Sequence, residues 1–205
     1  MFRSLLTLFF GLKVVGAKHV PPGPVILAAN HPSQIDPLVL GAAIPRRLTF
    51  LVAAELLTMP YLGPLVRPFA PVPVRRGQVD PGAIKECLAR LERGAALLIF
   101  PEGKISRDGR LQAPHEGLAF IALRAGVPVV PVGVRGTYQV WPLGTFLPHR
   151  GRIEVRIGAP ILPEPSAEVP GEAMPTKEAQ SYLTARVVGA IASLIGEPVR
   201  SSTQA

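Results

Sequence analysis

Three short apolar runs constrain the fold most: PVILAA at 24–29, AALLIF at 95–100 and VPVVPVGV at 127–134. A strand with one wet face alternates apolar and polar residues, whereas these runs do not alternate. Each is read as a strand buried inside a domain. Segments of helical spacing lie between them, and that alternation implies a single-domain α/β sandwich with a mostly parallel or mixed central sheet. A chain of 205 residues is long enough for one such well-buried domain.

The remaining elements follow from periodicity and punctuation. Residues 37–43 are expected as a helix, 48–53 as a strand, 54–59 as a helical turn and 72–74 as a short strand running into Arg75 and Arg76. The clearest amphipathic helix is 81–93, with Ile84, Leu88 and Leu91 inward, Asp80 as N-cap, Pro81 at its first position and Gly94 just past its end. A further helix is expected at 117–124. Residues 153–157 alternate through Glu154 and Arg156 as an edge strand would. A proline-rich connection at 162–175 leads to a last helix at 176–195 carrying Leu183, Val187, Ile191 and Leu194.

The N-terminus, MFRSLLTLFFGLKVVGAK, places Phe2, Leu5, Leu6, Phe9, Phe10 and Leu12 close together, with Arg3 and Lys13 flanking the apolar stretch. That composition predicts a helix lying in a membrane interface, with its apolar side in lipid and its cations at the headgroups. Residues 1–17 are therefore read as an amphipathic membrane-association segment and 18–199 as the main domain. A secretory signal peptide competes, given the small residues Gly16 and Ala17, but a motif beginning at Asn30 would leave little mature chain before it. No apolar run approaches the roughly 20 residues of a membrane-spanning helix.

Twenty-two basic residues against 14 acidic ones leave a net charge of +8, which favours an anionic partner. Nucleic acid is excluded as that partner by the lack of any Lys/Arg block or stacking platform. An anionic membrane surface fits an apolar, basic chain better. The single cysteine, Cys87, sits among Ile84, Leu88 and Leu91 and reads as a core thiol.

Chemistry gathers where the buried strands end, because ligand sites of open α/β sheets lie at the carboxyl ends of strands. After the first run comes NHPSQID, residues 30–36. The prolines that follow His31 and Asp36 keep both out of regular helix, so the turn can fold them together. A carboxylate on one imidazole nitrogen fixes the tautomer and leaves the other nitrogen to accept a proton from a hydroxyl. Asp36 before Pro37 is also suited to cap the following helix, and one carboxylate can do both. Another charged loop, PEGKISRDGR at 101–110, leaves the second run.

Four blocks in order, NHPSQID at 30–36, VPVRRG at 72–77, FPEGKISR at 100–107 and VPVVPVGV at 127–134, resemble the glycerolipid acyltransferases, over roughly residues 14–160. The resemblance implies transfer of a fatty acyl group from acyl-CoA or acyl-carrier protein to the hydroxyl of a lysophospholipid, 1-acyl-sn-glycerol-3-phosphate before others. It implies His31 as general base with Asp36 as its partner. It implies Arg75 and Arg76 at the acceptor phosphate, Glu102 and Gly103 at the glycerol end, and Lys104 and Arg107 at the headgroup. Val127, Pro128 and Pro131 would be scaffold. No metal or other cofactor is implied beyond the thioester co-substrate, and the place of work would be the cytoplasmic face of the membrane, peripheral or monotopic. The family's usual Thr-Arg-Ser after the glycine is here Lys104-Ile105-Ser106. That departure keeps open a lysophosphatidylethanolamine or other lysolipid as acceptor, and outside catalysis a silent lipid-binding protein.

Overall fold

The computed structural model describes residues 2–60, 64, 66, 67, 71–75, 80–163 and 175–197. Seven strands occur among them: β1 (Lys13–Val15), β2 (Val25–Ala29), β3 (Leu48–Ala53), β4 (Val72–Val74), β5 (Ala96–Ile99), β6 (Val129–Arg135) and β7 (Glu154–Ile157). They form one sheet in the order β1-β7-β6-β2-β5-β3-β4. The helices are α1 (Phe2–Phe10), α2 (Asp36–Ala43), α3 (Ala54–Thr58), α4 (Pro81–Glu92), α5 (Gly117–Ala125), α6 (Thr137–Val140) and α7 (Lys177–Ile195).

Strands β6, β2, β5, β3 and β4 run parallel, whereas β7 is antiparallel to β6 and β1 parallel to β7. The non-alternating runs are explained by two cores. Val25, Leu27 and Ala29 of β2 enter one with Val39 and Leu40 of α2, while Ile26 and Ala28 enter the other with Ala119, Ala122 and Ile191 of α5 and α7. A polar side chain on either face of β2 would lose its water with no partner in reach, at a cost of about 1–3 kcal/mol.

Local signals set the helix ends. The Asp80 carboxylate accepts from the Ala83 amide at 3.1 Å and so caps α4, and Gly94 beyond its end takes φ 81°. Cys87 is a buried core thiol, and burial pushes its pKa up to about 11. Pro131 stands in the middle of β6, where a missing N–H would ordinarily break a ladder. It faces β7 beyond the pairing of Val132 with Ile157, and only its carbonyl is used, accepting from Gly158.

The 153–157 segment is not the edge strand its alternation suggested. It lies one strand in, with β1 outside it, and its alternation reflects Glu154, which pairs with Lys13 at 3.4 Å and Arg156 at 3.0 Å on one face of the sheet. The edge comes from Lys13–Val15, so the sheet reaches into the 1–17 segment. Within α1, Leu6 is buried in the core and Phe10 packs against it, whereas Leu5, Leu8 and Phe9 are exposed. Among the described residues no helix is long and apolar enough to cross a membrane. Of the expected proline-rich connection, residues 164–174 lie outside the described residues, as do 198–205 at the C-terminus.

The topology leaves one crevice. The β2-to-β3 connection through α2 passes over β5, and the β5-to-β6 connection through α5 passes back over β2. Adjacent strands β2 and β5 thus send their chains in opposite directions, which parts the loops at their carboxyl ends.

A test of the packing contrasts two glycines with similar dihedrals. A Cβ on Gly136 (φ 84°) would stand 1.9 Å from the Arg152 carbonyl oxygen, whereas one on Gly94 (φ 81°) would meet nothing within 4 Å. Gly94→Ala is expected to cost about 1–2 kcal/mol of backbone strain. Gly136→Ala should cost more than about 4 kcal/mol. Urea denaturation of both measures the difference, and equal losses would refute the close approach of α6 to Arg152.

Candidate active site

The site begins where β2 ends. Asn30 is buried and continues the ladder to β6 with its side chain: Nδ2 donates to the Val134 carbonyl at 2.9 Å, and Oδ1 accepts from the Val134 amide at 2.7 Å. Pro32 then keeps His31 out of helical dihedrals, and the chain turns back at once.

Within the turn, His31 Nδ1 lies 2.8 Å from Asp36 Oδ2, and the same oxygen accepts the Ser33 amide at 2.7 Å. The Ser33 hydroxyl donates to the Trp141 carbonyl, fixing the turn to the segment after α6. Asp36 does not cap α2 as its sequence position suggested. The helix begins with Ile35 at the N-cap and its carbonyl takes the amides of Leu38 and Val39, while the Asp36 carboxylate points backward to His31 and Ser33. Pro37 offers no amide to hold the carboxylate forward.

Burial pushes the Asp36 pKa above the usual carboxylate range, and His31, Thr137 and the Ser33 amide pull against that shift. An ionised carboxylate can only accept, so Nδ1 carries the proton in the neutral imidazole and Nε2 has the free lone pair. The His31 ring is stacked on Phe100, with centroids 3.8 Å apart and planes 12° from parallel.

Glu102 brings in the second loop. It is buried, and both carboxylate oxygens are used on backbone: Oε1 accepts the His31 amide at 2.7 Å and Oε2 the Gln112 amide at 2.8 Å. The His31 carbonyl in turn accepts the Ser106 amide at 2.8 Å. His31 is therefore gripped at its amide, its carbonyl, one ring nitrogen and one ring face. Desolvation pushes the Glu102 pKa up to about 7, against the pull of the two amides.

The structure brings His31, Asp36 and Glu102 together, with Glu102 bound to the His31 backbone amide. Gly103 turns the chain at φ 65°, where a Cβ would crowd the His115 ring at 2.9 Å. Lys104 and Arg107 are exposed along the same loop. Arg75 is exposed at the carboxyl end of β4, on the side of the sheet where His31 lies but three strands away. Arg76 lies outside the described residues. Among the described residues no three His, Cys, Asp or Glu side chains gather as metal ligands.

Sequence reasoning gave no part to Asn30, Phe100, Ser106, Gln112 or Thr137. Asn30 and Phe100 stood inside the quoted blocks, directly beside the charged residues. Gln112 works through its backbone amide, and nothing in its identity announces that.

Comparison with known proteins supplies the family. A family model described as Acyltransferase matches residues 11–135. The chain is 31% identical over 161 residues to the chloroplastic 1-acyl-sn-glycerol-3-phosphate acyltransferase LPAT1 of Arabidopsis thaliana, covering 75% of this chain and 44% of that protein. It is 40% identical over 133 residues to the lyso-ornithine lipid O-acyltransferase of Pseudomonas aeruginosa, covering 64% and 50%. The chain thus spans about half the length of these relatives. The crystal structure of the 1-acyl-sn-glycerophosphate (LPA) acyltransferase PlsC from Thermotoga maritima superposes with a TM-score of 0.72 at 27% identity, over 94% of this chain and 75% of that one. With a family match over more than half its length and a fold shared with a solved member, the chain belongs to the acyltransferase family.

Proposed function

We propose that the protein transfers a fatty acyl group from an acyl thioester to the free hydroxyl of a lysophospholipid, 1-acyl-sn-glycerol-3-phosphate in the first place, giving phosphatidic acid. The observation that carries this reading is the His31–Asp36 pair, 2.8 Å apart at the crevice between β2 and β5. Nε2 takes the proton of the acceptor hydroxyl as its oxygen attacks the thioester carbonyl. The tetrahedral intermediate then expels the thiolate of CoA or acyl-carrier protein, which receives the proton from the imidazolium. Asp36 stabilises that cation. Glu102 positions the base through the His31 amide.

Arg75, at the end of β4, and Arg76, its neighbour in the sequence, are the groups suited to the acceptor phosphate, since a guanidinium binds two oxygens at once. Lys104 and Arg107 border the headgroup. The work takes place at the cytoplasmic face of a membrane, held peripherally. A second acceptor class has its own support: the relative at 40% identity is named for a lyso-ornithine lipid, and Lys104-Ile105 departs from the block associated with phosphatidate synthesis. Thiol release from palmitoyl-CoA, measured with 1-acyl-sn-glycerol-3-phosphate, lysophosphatidylethanolamine and a lyso-ornithine lipid, decides between them. Release with no acceptor dependence in any arm would overturn the acyltransferase reading.

Replacing His31 with Ala is expected to lower turnover by about 10²- to 10⁴-fold while the fold persists. Asp36→Asn should be as severe, because an amide nitrogen donating to Nδ1 would force the proton onto Nε2, where the lone pair is needed. Retention of more than a tenth of the wild-type rate in either variant would sink the base assignment.

Glu102 adds a pH signature. Unfolded, it titrates near 4.5, and folded, at about 7. Between those values the native chain holds a proton that the unfolded chain has released, so its contribution to stability falls as pH rises across that window and is level above it. The melting temperature of wild type relative to Glu102→Gln should fall as pH rises across this range and level off above it if the raised value is correct, and parallel curves would refute it.

A further inference from the structure

Residues 142–148 form a short loop whose side chains are unusually apolar for its exposure. Phe146 is 91% exposed, Leu147 67% and Leu143 48%. A floppy loop could collapse these groups, but this one is braced at its base. Trp141 Nε1 and Gln34 Nε2 both donate to the Thr145 carbonyl, at 3.0 and 3.3 Å, and the Thr145 hydroxyl donates to the Pro142 carbonyl at 2.9 Å. The tip is held out in water by bonds that also reach the catalytic turn, since Gln34 lies between His31 and Asp36.

Two observations say what covers it. First, the chain running from the tip carries Arg150 and Arg152, both exposed, so an apolar point is backed by cations. Second, the loop leads to Ile153, whose amide donates to the Phe10 carbonyl at the end of α1 at 3.0 Å. That helix presents Leu8 at 78% and Phe9 at 65% exposure. Apolar points backed by arginines are the chemistry of an anionic lipid surface, where apolar groups enter the acyl boundary and cations meet the headgroups. Scattered exposed leucines need no explanation, but a braced cluster beside a second apolar face does.

We propose that the 142–148 loop is a membrane-inserting wedge which, with the exposed face of α1, seats the His31 turn on an anionic bilayer. The proposal deepens the lysolipid reading and rests on it for why the site must meet lipid, but its test needs no turnover. The loop's coupling to Gln34 makes the same residues that grip lipid brace the turn that holds the base.

Sedimentation with phosphatidylcholine vesicles, with and without phosphatidylglycerol, tests it. The wild type should prefer the anionic vesicles, and the double variant Phe146→Ser/Leu147→Ser should bind them about tenfold or more weakly, as expected for two side chains kept from lipid. Arg150→Glu/Arg152→Glu should lose the anionic preference. Tyr182→Ser, at an exposed aromatic on α7, should bind as wild type.

A second reading comes from Phe146→Cys labelled with an environment-sensitive fluorophore, for which the buried Cys87 thiol does not compete. Its emission should shift to the blue on adding anionic vesicles. A label that stays in water, with the Phe146→Ser/Leu147→Ser chain binding as tightly as wild type, overturns the proposal. So does a blue shift that grows with protein concentration in the absence of vesicles, which would assign the loop to a second copy of the chain. His31→Ala should insert as wild type does, so a chain that inserts without any acyl transfer separates failure of the reaction from failure of the wedge.

Discussion

Glu102 joins two loops that the topology sends in opposite directions. A parallel sheet whose neighbouring strands part at their carboxyl ends opens a crevice, but it does nothing to fix the loops on its two sides. The Glu102 carboxylate supplies that fixing by accepting one amide from each side, at His31 and at Gln112. Charged acceptors form stronger hydrogen bonds than neutral ones, and in a dry setting the bond is stronger still. The same dryness raises the carboxyl's pKa, so the brace loses part of its charge near neutrality. Rigidity at the base is thus obtained from a group close to its own titration point.

Asp36 meets a related conflict from the other direction. Its burial disfavours the charged form, yet under the proposed reaction its partner His31 would need that charge on becoming an imidazolium. The Ser33 amide and His31 share one of its oxygens, while Thr137 stands at the carboxylate from the start of α6. Two buried carboxylates flanking one histidine, one acting on its ring and the other on its backbone, divide orientation into separate tasks. Phe100 stacks on one face of that ring.

Much of this was legible in the amino-acid order. Non-alternating runs revealed the central strands because both their faces are covered, and Asp80, Pro81 and Gly94 marked the ends of α4 because capping is local chemistry. The His31–Asp36 pairing was legible from a histidine and a carboxylate at the two ends of one short turn, although Asp36, expected to stay out of helix before Pro37, in fact opens α2. What was hidden depends on distant partners. Alternation in β7 suggested an edge, since a sequence cannot say that Lys13–Val15 will pair outside it. The Asp36 cap failed because His31 competes for the same carboxylate across the turn. The two backbone bonds of Glu102 were hidden as well, since a buried bond to a backbone amide leaves no mark on the identity of the residue that donates it.

The first helix is bound on one side and bare on the other. Leu6 belongs to the core, so α1 is a rigid mount and not a flexible tether. A tethered enzyme samples every orientation above a surface and wastes most encounters facing away. Under the proposed seating a mounted domain would meet the surface at one angle, with the sheet carried at a fixed tilt behind α1. Under the proposed reaction, search for an acceptor would then become motion in two dimensions by the lipid, towards a histidine held at a fixed orientation.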